Sequence, residues 1–428
     1  MPTVPGTPDN AITIPPRPPW FIDRPAPAAR LEKGTAGPVT VVTGPPGAGK
    51  TALVAAWAAA RPPAAAGRLA WASCDAGMGR DAFWTLVLAA LVRAGAAGAE
   101  FVPPAARPGG ADDAFLADLA IELSGGAGTE PVVLVLDDFH SPLSPAVVHG
   151  LAFLSERARP RLRLVLVGRH DPPLSLHRLR LAGELTEIRN DALAFGPAET
   201  GALLAQHGVE LPAASAAALR RRTDGWAAGL RLAAMSMEHD PDPEAFVARF
   251  AGDDQSVVGY LVEQVLDAQP RDVRRVLLRT SVGDRLTADL AMELAGAAGA
   301  GVFPALVRQN AFVLPLGGGW YRYQRMFAEA LRVVLRHELP GEVAGLHRRA
   351  SRWFAREGFL PEAVGHSIRA GDWAHACRLV VDRRAVGEVL GLTGDRALAR
   401  AFAAMPAAVA AEVPEAAVVA AASALARG

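Results

Sequence analysis

The stretch GPPGAGKT, Gly44 to Thr51, follows the apolar run VTVVT and precedes TALVAAWAAA, the order strand, glycine loop, helix. It satisfies G-x-x-x-x-G-K-[ST], a loop whose backbone N–H groups turn inward around phosphate oxygens. Lys50 would reach the β- and γ-phosphates, Thr51 would offer its hydroxyl to Mg²⁺, and the helix would add its N-terminal dipole. A loop of this kind needs a strand buried behind it and a helix ahead of it, which commits the chain to a layered α/β domain. We expect Gly44, Pro45, Pro46, Gly47, Ala48, Gly49, Lys50, Thr51 and Ala52 to hold ATP or ADP. Only two of the 44 basic residues are lysines, Lys33 and Lys50, so the loop lysine stands out.

Further strands recur with helices between them. RLAWASCD (68–75), PVVLVLDD (131–138), RLRLVLVGR (161–169) and LTEIR (185–189) read as strands, and DAFWTLVLAALVRAG (81–95) as a helix. The continuous β-branched run at 131–138 is that of a strand buried on both faces, and the alternation implies parallel βαβ crossovers. This strand ends in Asp137 and Asp138. A carboxylate at that place holds the water shell of Mg²⁺, which suits Asp137 and, with Thr51, completes the expected metal site. Asp138 is the candidate general base for the attacking water. Arg169 ends the next apolar strand, where it could sense a γ-phosphate. The alternatives, two capping acids and an ordinary loop arginine, remain open at this point.

Beyond residue 190 the segments become short helices separated by Pro or Gly, and Trp226 in TDGWAAGL is either core or functional. Helices leading into AFVLPLGGGWYRYQ, two strands around a triple glycine, fit a winged helix. The expected parts are a proline-rich segment 1–37, extended and mobile to about residue 19; a nucleotide-binding α/β domain 38–190; a helical bundle 191–252; a winged helix 253–343; and a helical arm 344–428 that begins a repeat array. Trp353 and Phe354 read as core.

Composition narrows the class. Acidic and basic residues balance at 44 each, so the basic footprint of a nucleic-acid-binding protein is missing. Cys74 and Cys377 are far apart with no ligand spacing, which points to two buried thiols in a reducing compartment. With no signal core and no apolar run of spanning length, the expectation is a cytoplasmic protein without membrane contact.

These motifs resemble the maltose-activator group, the large ATP-binding regulators of the LuxR family within the signal-transducing STAND ATPases. The likeness is carried by GPPGAGKTALVAAW, AWASCD, LVLDDFH, GRHDPPLSLHRLRLAGELTEIR, TDGWAAGLRLAAMS, LLRTSVGDRL, WYRYQRMFAEALR and LHRRASRWF, from about Arg17 onward. The resemblance implies that 191–252 is a lid. It also implies that ADP rests between the α/β domain, lid and winged helix. ATP exchange on inducer binding would permit self-association, and slow hydrolysis would reset the switch. Asp137 and Asp138 become the family's acidic pair and Arg169 its sensor arginine. Gln324 and Arg325 stand where relatives commonly carry a histidine pair, and Ala227 where distant ones place an adenine-contacting proline. The first departure would leave Gln324 a neutral hydrogen bond to the nucleotide. The group ends in a long repeat sensor and a DNA-binding helix-turn-helix. Here only the first repeat helices and no basic recognition helix are legible, so the expectation is a fragment of a longer regulator, the alternative being a truncated relative that acts through protein contacts. Inducer and DNA would then be met outside the chain. The competing readings are a ring-forming AAA-type motor that turns ATP over continuously and a scaffold that nucleotide merely stabilises.

Overall fold

The computed structural model describes residues 8–61, 68–75, 78–125, 131–139, 144–238, 240–309, 312–392, 397–411 and 413–426. The chain divides into two units, Met1–Phe250 with Arg308–Phe312, and Ala251–Val307 with Val313–Gly428.

In the first unit, β1 (Val39–Thr43), β2 (Arg68–Ser73), β3 (Val132–Asp137), β4 (Leu162–Gly168) and β5 (Leu185–Ile188) form a parallel sheet in the order β2-β3-β4-β1-β5. Successive side chains of a strand point to opposite faces, and both faces are covered. On one face Val42, Trp71, Val133, Val135, Val165 and Val167 pack with Leu31 of α1 (Pro25–Gly34) and Leu53, Val54 and Trp57 of α2 (Lys50–Ala60). On the other, Val41, Ala72, Leu134, Leu136, Leu164 and Leu166 pack with Phe83 and Trp84 of α3 (Arg80–Arg93), Phe115 of α4 (Asp113–Gly125) and Leu151 of α5 (Pro145–Arg157). That is why the strands read as unbroken apolar runs. The short α6 (Leu176–Leu181) precedes β5 and α7 (Asn190–Leu193) follows it.

The N-terminal segment departs from the expected extended chain. Asp9–Ile12 is a 3₁₀ turn whose Ile12 joins the core, and α1 lies within the proline-rich stretch and packs on the sheet. Burial of single apolar residues among the prolines outweighs their preference for extended backbone. After β5 come the helices α8 (Pro197–Gln206), α9 (Ala213–Thr223), α10 (Ala227–Met237) and α11 (Pro243–Arg249), within the segment expected to be the lid.

The second unit opens with α12 (Gln255–Leu261) and a π-helical turn, Val262–Leu266, then α13 (Arg271–Thr280), α14 (Ala288–Ala295) and α15 (Ala297–Gln309). The hairpin β6 (Val313–Gly317) and β7 (Trp320–Tyr323) turns on Gly317, Gly318 and Gly319, all at positive φ. Gln324, 1% exposed, then caps α16 (Arg325–Glu338): its Oε1 accepts the Phe327 N–H at 2.9 Å. Its side-chain carbonyl is therefore engaged within the helix start. Helices α17 (Pro340–Arg356), α18 (Leu360–Arg369) and α19 (Trp373–Asp382) continue the arm. Trp353 and Phe354 are buried, and Trp320 of the hairpin stacks on Phe354. Cys377 is buried, whereas Cys74 is half-buried at the end of β2, outside the strand's covered centre. Among the described residues no helix is long and apolar enough to cross a membrane.

Candidate nucleotide site

The glycine loop leaves β1 at Gly44 and enters α2 at Lys50. Gly47 and Gly49 sit at φ 72° and 79°, where a side chain would strain the backbone. Gly44 is closely packed: a Cβ there would lie 2.7 Å from Leu193 Cδ1, which would have to shift. No side chain caps the α2 N-terminus at Gly49. Its first-turn amides and dipole therefore suit an anion.

Lys50 is buried, and its Nζ donates to the Gly44 carbonyl at 2.9 Å and the Pro45 carbonyl at 3.0 Å. Burial pulls its pKa down to about 8, helped by the Arg169 charge and opposed by Asp138 and Asp137. Thr51 Oγ1 donates to Asp137 Oδ1 at 3.0 Å, joining the start of α2 to the end of β3. Asp137 is 3% exposed. Burial, and then the Asp138 charge, push its carboxyl up to about 6 against the Thr51 hydrogen bond and Lys50. A buried carboxylate beside a second acid gains when a cation shares its site. The hard oxygen donors of Thr51 and Asp137 fit Mg²⁺, which keeps several waters and takes further oxygens from phosphates. Among the described residues no cluster of three or more His, Cys, Asp or Glu could hold a metal, so the protein's share of this site is small.

Asp138 follows β3 at φ 54°, exposed, and the next amide, Phe139 N–H, donates to Val167 O at 2.8 Å. The left-handed residue thus ends the strand and carries the second acid out over the carboxyl edge of the sheet. Arg169, half-buried, is the first residue after β4, within electrostatic reach of Lys50. The fold therefore gathers Lys50, Thr51, Asp137, Asp138 and Arg169 at one edge, where open α/β sheets bind ligands.

The helical segment after β5 meets the same loop. Asp224 and Gly225, at φ 51° and 70°, end α9, and Gly225 O accepts from Phe195 N. This sharp turn places Trp226 at the start of α10. Its indole Nε1 donates to Pro46 O at 2.9 Å, and the Ala228 amide donates to Gly47 O at 3.0 Å. A helix start leaves its first N–H groups without partners, and here a loop carbonyl accepts one of them. Trp226 is 4% exposed, so it serves as core as well as contact. The role of Ala228 had no sequence signal, since backbone makes the bond.

Residues 28–167 match the family described as AAA ATPase domain, and residues 262–343 match the MalT winged helix domain. The serine/threonine-protein kinase PknK of Mycobacterium tuberculosis (strain CDC 1551 / Oshkosh) is 37% identical over 253 residues, 58% of this chain and 23% of that protein. The HTH-type transcriptional regulator MalT of Cronobacter sakazakii is 30% identical over 357 residues, 80% of this chain and 38% of that protein. MalT of Klebsiella pneumoniae is 29% identical over 345 residues, covering 78% and 37%. The chain thus spans well under half the length of these relatives. Among solved structures, the Walker-type ATPase PABY2304 of Pyrococcus abyssi aligns with TM-score 0.49 and 16% identity, over 73% of this chain and 96% of that one. An ATPase domain followed by a MalT-type winged helix, in a chain that aligns with MalT over 80% of its length, makes this protein a member of the MalT-like family of P-loop ATPases.

Proposed function

We propose that the chain is a nucleotide-operated switch: it rests with ADP, exchanges it for ATP with Mg²⁺, self-associates in the ATP form and resets by slow hydrolysis. The observation that carries this reading is the pair of bonds from the lid to Pro46 O and Gly47 O. Those carbonyls belong to the loop whose amides would face phosphate, so a change in the loop's peptides reaches the lid directly. A ligand shifts such an equilibrium only through different affinities for its two states, and roughly 5 kcal/mol carries it from mostly off to mostly on. Phosphate would be held by the loop amides and Lys50, Mg²⁺ by Thr51 and Asp137. In this reading Asp138 receives the proton of the attacking water and Arg169 senses the terminal phosphate. On the same reading, 38–190 binds nucleotide and 191–252 serves as the lid.

The test is to purify the chain without added nucleotide, denature it and separate the released nucleotides by chromatography. Near-stoichiometric ADP that survives gel filtration is expected. An empty site with rapid turnover of added ATP would replace the switch by a continuously cycling motor. A second reading, in which the switch governs a kinase instead of a transcription factor, is favoured by the higher identity to PknK, 37%.

A further inference from the structure

We infer that Arg24 is a positioning residue that holds the lid closed over the phosphate loop, and so sets how slowly nucleotide leaves. The inference rests on the switch reading above.

Arg24 lies just before α1, outside every motif, yet it is only 5% exposed. A guanidinium is buried only where its donors are met, and here they are met from one short region. NH1 donates to Leu193 O at 2.8 Å, and NH2 to Ala192 O at 3.3 Å and Ala194 O at 3.1 Å. Nε donates to Glu199 Oε1 at 3.0 Å, and the cation lies 4.7 Å above the Phe195 ring. These residues are the passage from the sheet to the lid. Glu199 belongs to α8 and its other oxygen, Oε2, accepts the Gly196 amide at 2.6 Å, starting that helix.

The fastened passage touches the loop in two ways. Leu193 packs so closely on Gly44 that a Cβ there would lie 2.7 Å from Leu193 Cδ1. Phe195 donates its amide to Gly225 O, the residue before Trp226, which bonds Pro46. Neighbouring residues of the same segment grip the lid elsewhere: Pro19 O accepts from Gln206 Nε2 at 2.8 Å, and Arg231 lies 3.9 Å above the Trp20 ring. Residues 19–24 therefore form a strap from the sheet side across α8 and α10, with Arg24 as its buried pin. Lysine could keep the charge but not the planar fork that reaches three carbonyls and a carboxylate together.

The experiment compares dissociation of a fluorescent ADP analogue from the full chain carrying Arg24→Lys, Arg24→Ala or Glu199→Gln with the unaltered chain. Melting of each nucleotide-free protein is followed in parallel. Release is expected to speed up about 10-fold or more in both Arg24 variants, as charge-assisted bonds are lost, and less in Glu199→Gln, which keeps the helix cap. Glu199→Gln, whose new NH₂ cannot accept from Arg24, should melt lower and still release faster at temperatures well below its midpoint, where a merely structural role would leave release unchanged. Unchanged release in Arg24→Lys and Glu199→Gln would overturn the assignment to Arg24, even if Arg24→Ala fails to fold. If the unaltered chain binds no ADP analogue, the switch reading itself fails, a result distinct from either.

Discussion

Trp226 of the lid donates its indole N–H to the Pro46 carbonyl of the phosphate loop, 2.9 Å away, across 180 residues of chain. Trp226→Phe keeps an aromatic ring in this buried place but removes the donor together with part of the buried indole. One neutral hydrogen bond is worth about 1 kcal/mol. Release of ADP should therefore quicken by about 5- to 10-fold, measured well below a melting temperature that itself falls by a few degrees. Stopped-flow displacement measures the first and calorimetry the second; equal release rates would detach the lid from retention.

Asp137 supplies a pH signature. Its folded carboxyl titrates near 6 against 3.8 for an unfolded aspartate, so between these limits the folded state binds more protons than the unfolded one. Stability of the ligand-free chain then falls as pH rises through that window, and the penalty, about 2–3 kcal/mol, persists above it. Asp137→Asn should stabilise the ligand-free protein at pH 8 and abolish stabilisation by Mg²⁺ with nucleotide. In the unaltered chain that Mg²⁺ effect should fade below pH 6. Thermal shifts across pH 5–8 decide the matter.

Lys50 works in the opposite sense. Its folded ammonium titrates near 8, below the unfolded 10.5, so nucleotide-free stability rises with pH between them. Phosphate binding requires the charged form, so ADP affinity should decline above pH 8, by up to about tenfold per unit. Lys50→Ala should abolish retention and flatten this dependence; calorimetric titration at pH 7 and 9.5 measures both.

Asp138→Asn should leave ATP binding intact while lowering single-turnover hydrolysis by about 10²-fold or more, the usual scale for a lost general base. Normal hydrolysis in that variant would move the base to another residue.

In the second unit, His347 Nδ1 and His366 Nδ1 lie 2.9 Å apart, so one donates and the other accepts. Burial, with Arg369 and Arg332 adding and Asp284 opposing, holds His347 down to about 4 and His366 to about 3. Unfolded histidine takes up its proton near 6.5, so this pair's stability is complete above that pH and is lost as pH falls toward 4. Replacing both by Gln should flatten the acid limb of urea midpoints measured from pH 7 to 4.

The strands were legible because a sheet covered on both faces admits only apolar residues, as in β3 where every residue is buried. The loop was legible because glycine, lysine and threonine at fixed spacing leave few other uses. The lid contacts and the Arg24 pin were not, because their acceptors are backbone carbonyls of Pro46, Gly47, Ala192, Leu193 and Ala194, and a carbonyl has no letter in the sequence. The cap that Gln324 Oε1 provides for α16 was likewise not legible, because it depends on the Phe327 amide.

β4 stands between β1 and β3, and its Val165 is paired with Thr40 on one side and Val135 on the other. Loop and acidic pair are thus levelled against one common strand and set two strand spacings apart, roughly 9–10 Å. The strand acts as a ruler whose graduations are peptide groups, so apolar drift along β4 leaves the spacing of Thr51 and Asp137 intact. What β4 carries at its tip, Arg169, can be exchanged without disturbing that spacing. Relatives built on the same sheet could therefore diverge in how they respond to the terminal phosphate while holding it in the same way.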